Sequence, residues 1–437
     1  MQIDKTTLAD LSIFHSEEEL SVVHFLDHTQ TTGGREYLYD MVAKPLSTVE
    51  AIENNQQTIR DLIPLIDRWP ITITNGTIMV IARFYESQIN KYPTQPNAFS
   101  SFIYKLFNAP DFSLTRYTIS HCIDFVKGMQ EIVQLLKDNA TSKHLRIWAD
   151  RIEMLLNKGM IPEMGHASKE GLSNWKILSY ADFVRSHYKN QFFELIDIYS
   201  RIDAFLSLSI ACKKYAFCFP EIRKSEQPYV EASALYHPLL QIPVSYDVEL
   251  SREKNFLFLT GANMAGKSTF IKAVGVSVYL AHLGMGVPAQ KMQMSLFDGL
   301  LSNINVVDNI IKGESYFFNE VQRIRNTIQK ISDGKNWLIL IDELFKGTNV
   351  QDAMKCSSTV IEGLRKMKNV LFILSTHLYE IGDALQQHSN IQFRYFETSV
   401  SEDQLIFSYQ LKEGISNDRL GYLILRKEGV VELLQKL

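Results

Sequence analysis

The ten residues Thr260 to Thr269 constrain this chain more than any other stretch. They read Thr-Gly-Ala-Asn-Met-Ala-Gly-Lys-Ser-Thr, after the apolar run Phe256–Leu259 and shortly before the apolar run Ala273–Val287. A strand, a Gly-x-x-x-x-Gly-Lys-Ser loop and a helix in that order build a phosphate cradle. Gly261 and Gly266 let the backbone curl so that its amides face inward. The helix that opens near Lys267 aims the positive end of its dipole at the same place. Lys267 is positioned to reach the β- and γ-phosphates, and the Ser268 hydroxyl suits a magnesium ion. The expected ATP-binding residues are therefore Gly261, Ala262, Asn263, Met264, Ala265, Gly266, Lys267, Ser268 and Thr269.

Two later apolar runs complete the pattern. Trp337–Ile341 ends in Asp342-Glu343, and Val370–Leu374 ends in Ser375-Thr376-His377. A strand that delivers two carboxylates beside a phosphate loop supplies the remaining parts of a hydrolytic site. Asp342 is expected to hold magnesium through water, and Glu343 to polarise the attacking water. His377 is expected to bond the γ-phosphate and report its loss. Short apolar runs alternating with helical segments predict an α/β domain with a parallel-rich sheet and flanking helices.

The rest of the chain reads as mostly helical, which places a helical domain at residues 1–225 and the α/β domain at 226–437. Thr48 to Ile63 carries Val49, Ile52, Ile59, Leu62 and Ile63 on one stripe, with Ser47 as the expected cap. From near Ser173 to about Cys212, Phe192, Leu195, Ile196, Tyr199, Ile202, Phe205 and Leu206 recur at three- and four-residue spacing. That spacing predicts one long helix, either a lever between parts or a member of a bundle. Pro162, Gly165 and Gly171 predict a loop over Ile161 to Gly171.

Composition narrows the partners. A chain of 437 residues, 46% hydrophobic and 22% charged, is ordinary for a folded protein and too long for one small core. The net charge of −4 excludes a global basic signature, so a nucleic-acid partner would need a local patch or a clamp. Cys122, Cys212, Cys218 and Cys356 lack Cys-x-x-Cys spacing and read as small reduced hydrophobes. Met1 to Glu19 has no apolar run of a signal peptide, and Ala273–Val287 is too short and, with His282, too polar to span a bilayer. The cytoplasm is the expected location, with no membrane partner.

The motifs together resemble the MutS family of DNA mismatch-repair ATPases, a branch of the ABC-type ATPases. The phosphate loop is similar to the family's, with Ala262 in place of a proline and Ala265 in place of a glycine; Asn263 is retained at a position that faces the γ-phosphate in that family. Gly284-Met285-Gly286-Val287-Pro288-Ala289 resembles its Phe-Val-Pro-Ala segment. Gly313 to Val321 resembles its signature segment, in which Ser315 would approach a nucleotide held by a second subunit. Asp342 to Asn349, continuing to Asp352, resembles the carboxylate strand and its loop, and Ser375 to Glu380 the sensor segment. More loosely, Leu8 to Phe14, Leu26 to Thr29, Thr32 to Arg35, Pro45-Leu46 and Gln57 to Arg60 resemble the start of the family's helical core domain. Tyr236 stands where the family has an arginine before His237.

This resemblance implies a dimeric, magnesium-dependent ATPase whose ATP cycle drives clamping on duplex or branched DNA. The core-domain likeness starts almost at Met1, which leaves no room upstream for the mismatch-reading and connector domains. Direct mismatch readout is therefore not expected. Phe318-Asn319-Glu320 has the letters of the family's mismatch wedge but falls within the signature segment. A nucleotide-switched protein-interaction module that does not bind DNA is the alternative. A catalytically dead scaffold is disfavoured, because Lys267, Ser268, Asp342, Glu343 and His377 are all present.

Overall fold

The computed structural model describes residues 1–305, 316–401, 404–416 and 430–435. Contacts divide the chain into two units. The first comprises Met1–Phe25, Pro45–Ile52 and Tyr215–Leu437, and the second Leu26–Lys44 and Glu53–Lys214. This differs from the single boundary expected after residue 225, because the N-terminal segment belongs with the α/β unit.

Specific hydrogen bonds explain that placement. The backbone N–H of Gln2 donates to the Asp298 carbonyl, and Gln2 forms a parallel bridge with Gly299. The Thr7 hydroxyl accepts from the backbone N–H of Ser302 at 2.9 Å. Asp10, buried within the helix Lys5–Asp10, accepts from the Ser302 hydroxyl, from the backbone N–H of Ile304 and Asn305, and from the Arg323 guanidinium at 3.0 Å. A buried carboxylate persists only with such a complete set of partners. Periodicity cannot reveal an anchor made by one aspartate with residues almost three hundred positions away.

Among the described residues, ten strands form two sheets in the first unit: β1 Glu221–Arg223, β2 Val230–Leu235, β3 Tyr246–Leu250, β4 Phe256–Thr260, β5 Lys291–Ser295, β6 Gly299–Asn303, β7 Trp337–Asp342, β8 Val370–Ser375, β9 Ile391–Ser401 and β10 Gln404–Glu413. The smaller sheet has the order β1-β5-β2-β3, and the larger β10-β9-β4-β8-β7-β6. In the larger sheet β9, β4, β8, β7 and β6 run parallel, and β10 returns antiparallel on β9. Every residue of β4, β7 and β8 is buried, which is why these strands read as unbroken apolar runs. The register pairs Leu259 with Ser375 and Asp342 with Ser375. The carboxyl ends of three adjacent strands therefore converge, the usual place for a site on an open α/β sheet.

The helix Lys267–His282 follows β4 and is buried over most of its length. A Cβ at Gly275 would stand 2.6 Å from side-chain carbons of both Leu11 and Leu340, so this glycine lets the helix approach β7 and the N-terminal segment closely. His282 ends the helix in the core. Its Nε2 accepts from the backbone N–H of Phe297, so Nδ1 carries the proton it donates to the Leu46 carbonyl, and burial brings its pKa down to about 4. The apolar stretch behind the phosphate loop is thus core. Among the described residues no helix is long and apolar enough to cross a membrane.

The second unit is helical, with its longest helices at Ala109–Asn139 and Lys189–Lys214. The single helix expected from Ser173 to Cys212 is broken. It runs as Asn174–Asp182, a π-helical turn at Phe183–His187, and Lys189–Lys214. The last of these is not a free lever within this unit, because Ile198 to Ser209 is buried on all sides apart from Arg201. A bundle is the better description. Gly33 and Gly34 allow its closest packing: a Cβ at either would collide with Ser200 or Asp203 of that helix. Asp203, 2% exposed, also accepts from the backbone N–H of Gln30 and Thr31 and from the Thr31 hydroxyl. The loop expected at Ile161 to Gly171 begins as a helix, Ile161–His166, that buries Ile161 and Met164. The cap expected at Ser47 is supplied by Thr48, whose hydroxyl accepts from the Ala51 N–H at 3.3 Å. Cys122, Cys212, Cys218 and Cys356 form no disulfide; Cys122 and Cys212 are buried and Cys218 and Cys356 half-buried.

Candidate nucleotide site

The phosphate loop has the backbone its glycines permit. Gly261 has φ 139° and Gly266 φ 108°, in the region that favours glycine, while Met264 takes φ 67° at the exposed tip. Lys267 is 5% exposed, and its ammonium donates to the carbonyls of Gly261 at 2.8 Å and Ala262 at 2.9 Å. Burial lowers its pKa to about 8, with Glu343 and Asp342 opposing the shift only in part. A buried cation with two carbonyl partners, set inside a curl of backbone at a helix N-terminus, is poised for a polyphosphate.

The carboxylates come from the end of β7. The Ser268 hydroxyl donates to one oxygen of Asp342 at 2.5 Å, and the Ser375 hydroxyl donates to the other. This arrangement fits magnesium. Ser268 and Asp342 offer hard oxygen donors at one point, and phosphate and water would complete an octahedral shell. Among the described residues there is no cluster of three or more His, Cys, Asp or Glu that could hold a metal without such help.

Glu343 leaves the strand with φ 64°, its N–H bonded to the Ser375 carbonyl at 3.0 Å. Its carboxylate lies between the His377 imidazole and the Lys346 ammonium, the latter at 3.0 Å. Burial pushes its pKa up, but the hydrogen bonds and charges of His377 and Lys346 outweigh that and hold it at about 2. His377, expected to meet a γ-phosphate, is bonded to Glu343.

A cavity of about 440 Å³ opens over the loop. Of the expected residues, Ala262, Asn263, Met264, Gly266, Lys267, Ser268, Thr269 and Glu343 line it. Gly261 shapes the loop from beside Phe396, and Ala265 is buried beneath it. Asp342 is reached through Ser268, and His377 through Glu343. Ser315 lies outside the described residues.

The far wall was not foreseen. Leu240, Ile242, Val244, Tyr246 and Tyr409 give the cavity an apolar side. Tyr409 sits at a register shift of β10 with φ 54°, and a Cβ at Gly266 would be 3.4 Å from its ring. A bulge of this kind re-aims a side chain, and nothing in the alternation of β10 announces it. Ile242 is 92% exposed. An apolar run around Pro243 that no strand or helix uses was the available signal for this wall.

Residues 257–434 match the family model described as MutS domain V. This part of the chain is similar to MutS domain V. The chain is 29% identical over 236 residues to the DNA mismatch repair protein MutS of Pseudothermotoga lettingae, covering 52% of this chain and 28% of that protein. It is 28% identical over 257 residues to the MutS of Petrotoga mobilis, covering 57% and 31%. To the DNA mismatch repair protein MSH3 of Vanderwaltozyma polyspora it is 30% identical over 262 residues, covering 56% and 25%. The match thus takes in about half of this chain and a quarter to a third of each relative. The matched stretch takes in all but the first residue of β4, and also β7 and the segments that follow both strands.

Proposed function

We propose that the first unit is a magnesium-dependent ATPase and that its cycle controls binding to DNA. The observation that carries this reading is the convergence of Lys267, Ser268 and Glu343 on one cavity from two strand ends, with Asp342 bonded to Ser268. ATP would enter with its base toward Tyr409 and Tyr246 and its phosphates in the loop. Lys267 would exchange the carbonyls of Gly261 and Ala262 for phosphate oxygens. Magnesium held at Ser268 and Asp342 would neutralise charge on the phosphates. Glu343 would take a proton from the water that attacks the γ-phosphorus, as the bond to ADP breaks. His377 would move to the γ-phosphate, and Ser315 of a second copy or a related subunit would close the site.

The apolar wall gives a measurable prediction. Tyr409→Ala is expected to raise the dissociation constant for ATP about 5- to 10-fold, the scale of about one lost stacking contact. The loss should be smaller for inorganic triphosphate, which has no base. Equal losses for both, measured by competition with a fluorescent nucleotide, would remove Tyr409 from the base wall.

The DNA part of the reading is supported by the relatives' names and by the family resemblance of the helical core. A second reading, a nucleotide-switched protein-interaction module, is favoured by one surface. The helix Ala98–Phe107 exposes Phe99, Phe102, Ile103, Leu106 and Phe107 on a single face, which suits protein rather than phosphate. Binding of the full chain to duplex, mismatched and branched DNA, with and without a non-hydrolysable ATP analogue and across a salt series, separates the two. Salt-sensitive, nucleotide-dependent binding to duplex or branched DNA is the expected result. No binding in any condition would favour the second reading.

A further inference from the structure

Glu320 is a buried carboxylate that the nucleotide cavity leaves unused. It lies in the second turn of the helix Tyr316–Ile331 and is 5% exposed. Its two oxygens accept from consecutive backbone amides, Lys346 N–H at 3.1 Å and Gly347 N–H at 3.2 Å. Burial raises its pKa, while those amides and the Lys346 charge act in the opposite direction. Desolvating a carboxylate is costly, so its position reflects the two amides it orders.

Those amides belong to the loop that carries Glu343. Within four residues that loop holds two non-glycine residues at positive φ, Glu343 at 64° and Phe345 at 60°. Backbone of this kind persists only where its surroundings over-determine it. Lys346, whose N–H is bound by Glu320, turns its ammonium back to Glu343 at 3.0 Å. The contact is tight as well as polar. A Cβ at Gly347 would stand 2.7 Å from the Tyr316 ring and 2.8 Å from the backbone nitrogen of Phe317. Helix and loop are therefore packed tightly against each other.

We propose that Glu320 is a positioning residue for ATP hydrolysis: it fixes the 343–347 loop so that Glu343 faces the attacking water, and it ties that carboxylate to the helix beginning at Tyr316. The proposal rests on the reading of Glu343 as the base.

The test is Glu320→Gln in the full chain. The amide oxygen can accept from one N–H, but the amide NH2 then meets the other donor. The expected result is a fall in kcat of at least about tenfold, because small misplacements of a catalytic group are costly in rate. The KM for ATP and the affinity for a non-hydrolysable analogue should stay within about twofold, since the phosphate loop is untouched. A kcat within twofold of wild type overturns the proposal. So does a loss of kcat matched by an equal loss of ATP affinity, which marks general damage. Should Glu320→Gln fail to fold, Gly347→Ala pushes the same loop from the same helix with Glu320 intact and is judged by the same split. Glu343→Gln runs alongside. Full turnover there sinks the reading of the base, whereas abolished turnover there with an unimpaired Glu320→Gln sinks the positioning role alone.

Discussion

Glu343→Gln is expected to lower ATP turnover by about 10²- to 10⁴-fold while leaving ATP bound, the span assigned to a positioned general base. The glutamine keeps the size of the side chain and still offers an oxygen to Lys346 and His377, so the loop should hold its shape. It cannot take a proton. Between His377 and Lys346 the Glu343 carboxylate is a poor base, because they hold its pKa near 2. Base strength follows pKa. A γ-phosphate that drew the Lys346 ammonium or the His377 ring away would return basicity to Glu343. Steady-state phosphate release, paired with a filter-binding measurement of ATP, checks both halves. Turnover within about tenfold of wild type would remove Glu343 from the role.

The parts legible in the sequence were those made by contiguous residues. The strand-loop-helix at Phe256 to His282 and the strand ends at Asp342 and Ser375 each announce themselves, because a fully buried parallel strand must be apolar throughout. Less legible were features made by distant residues. Asp10 fastens the N-terminal segment to Ser302 and Arg323, and only the folded chain brings them together. The long helical pattern after Ser173 was visible. Its break at Phe183–His187 was not, because the apolar spacing that marks the helix begins only at Phe192, beyond the π-helical turn. Its burial was also hidden. Ser200, Ser207 and Ser209 look like solvent-exposed positions, yet each hydroxyl is bonded to a backbone carbonyl within the bundle. Tyr409 was missed for a related reason, since a bulge changes where a side chain points without changing its letter.

Lys267→Ala is expected to weaken ATP binding by at least about 10²-fold, the loss of one or two charge-assisted hydrogen bonds to phosphate. The wild-type protein should also show a pH dependence that the variant lacks. Burial puts the pKa of Lys267 at about 8, below its ordinary value of 10.5. Between those values the unfolded chain holds a proton that the folded chain has released, so the buried ammonium opposes folding below pH 8 and that penalty fades as pH rises to 10.5. ATP reverses the balance. Its phosphates favour the charged lysine, so binding above pH 8 must take up a proton, and affinity should fall by up to about tenfold per pH unit there. In Lys267→Ala that slope should vanish along with most of the affinity. Calorimetry in buffers of different ionisation enthalpy measures the proton uptake directly. A wild-type affinity flat from pH 7 to 10 would mean that Lys267 keeps its ordinary pKa or does not meet the phosphates, and the equally affected variant would tell which. The same burial that makes Lys267 costly in the empty fold is what makes it selective, because only a ligand dense in negative charge repays the desolvation of an ammonium held by two carbonyls.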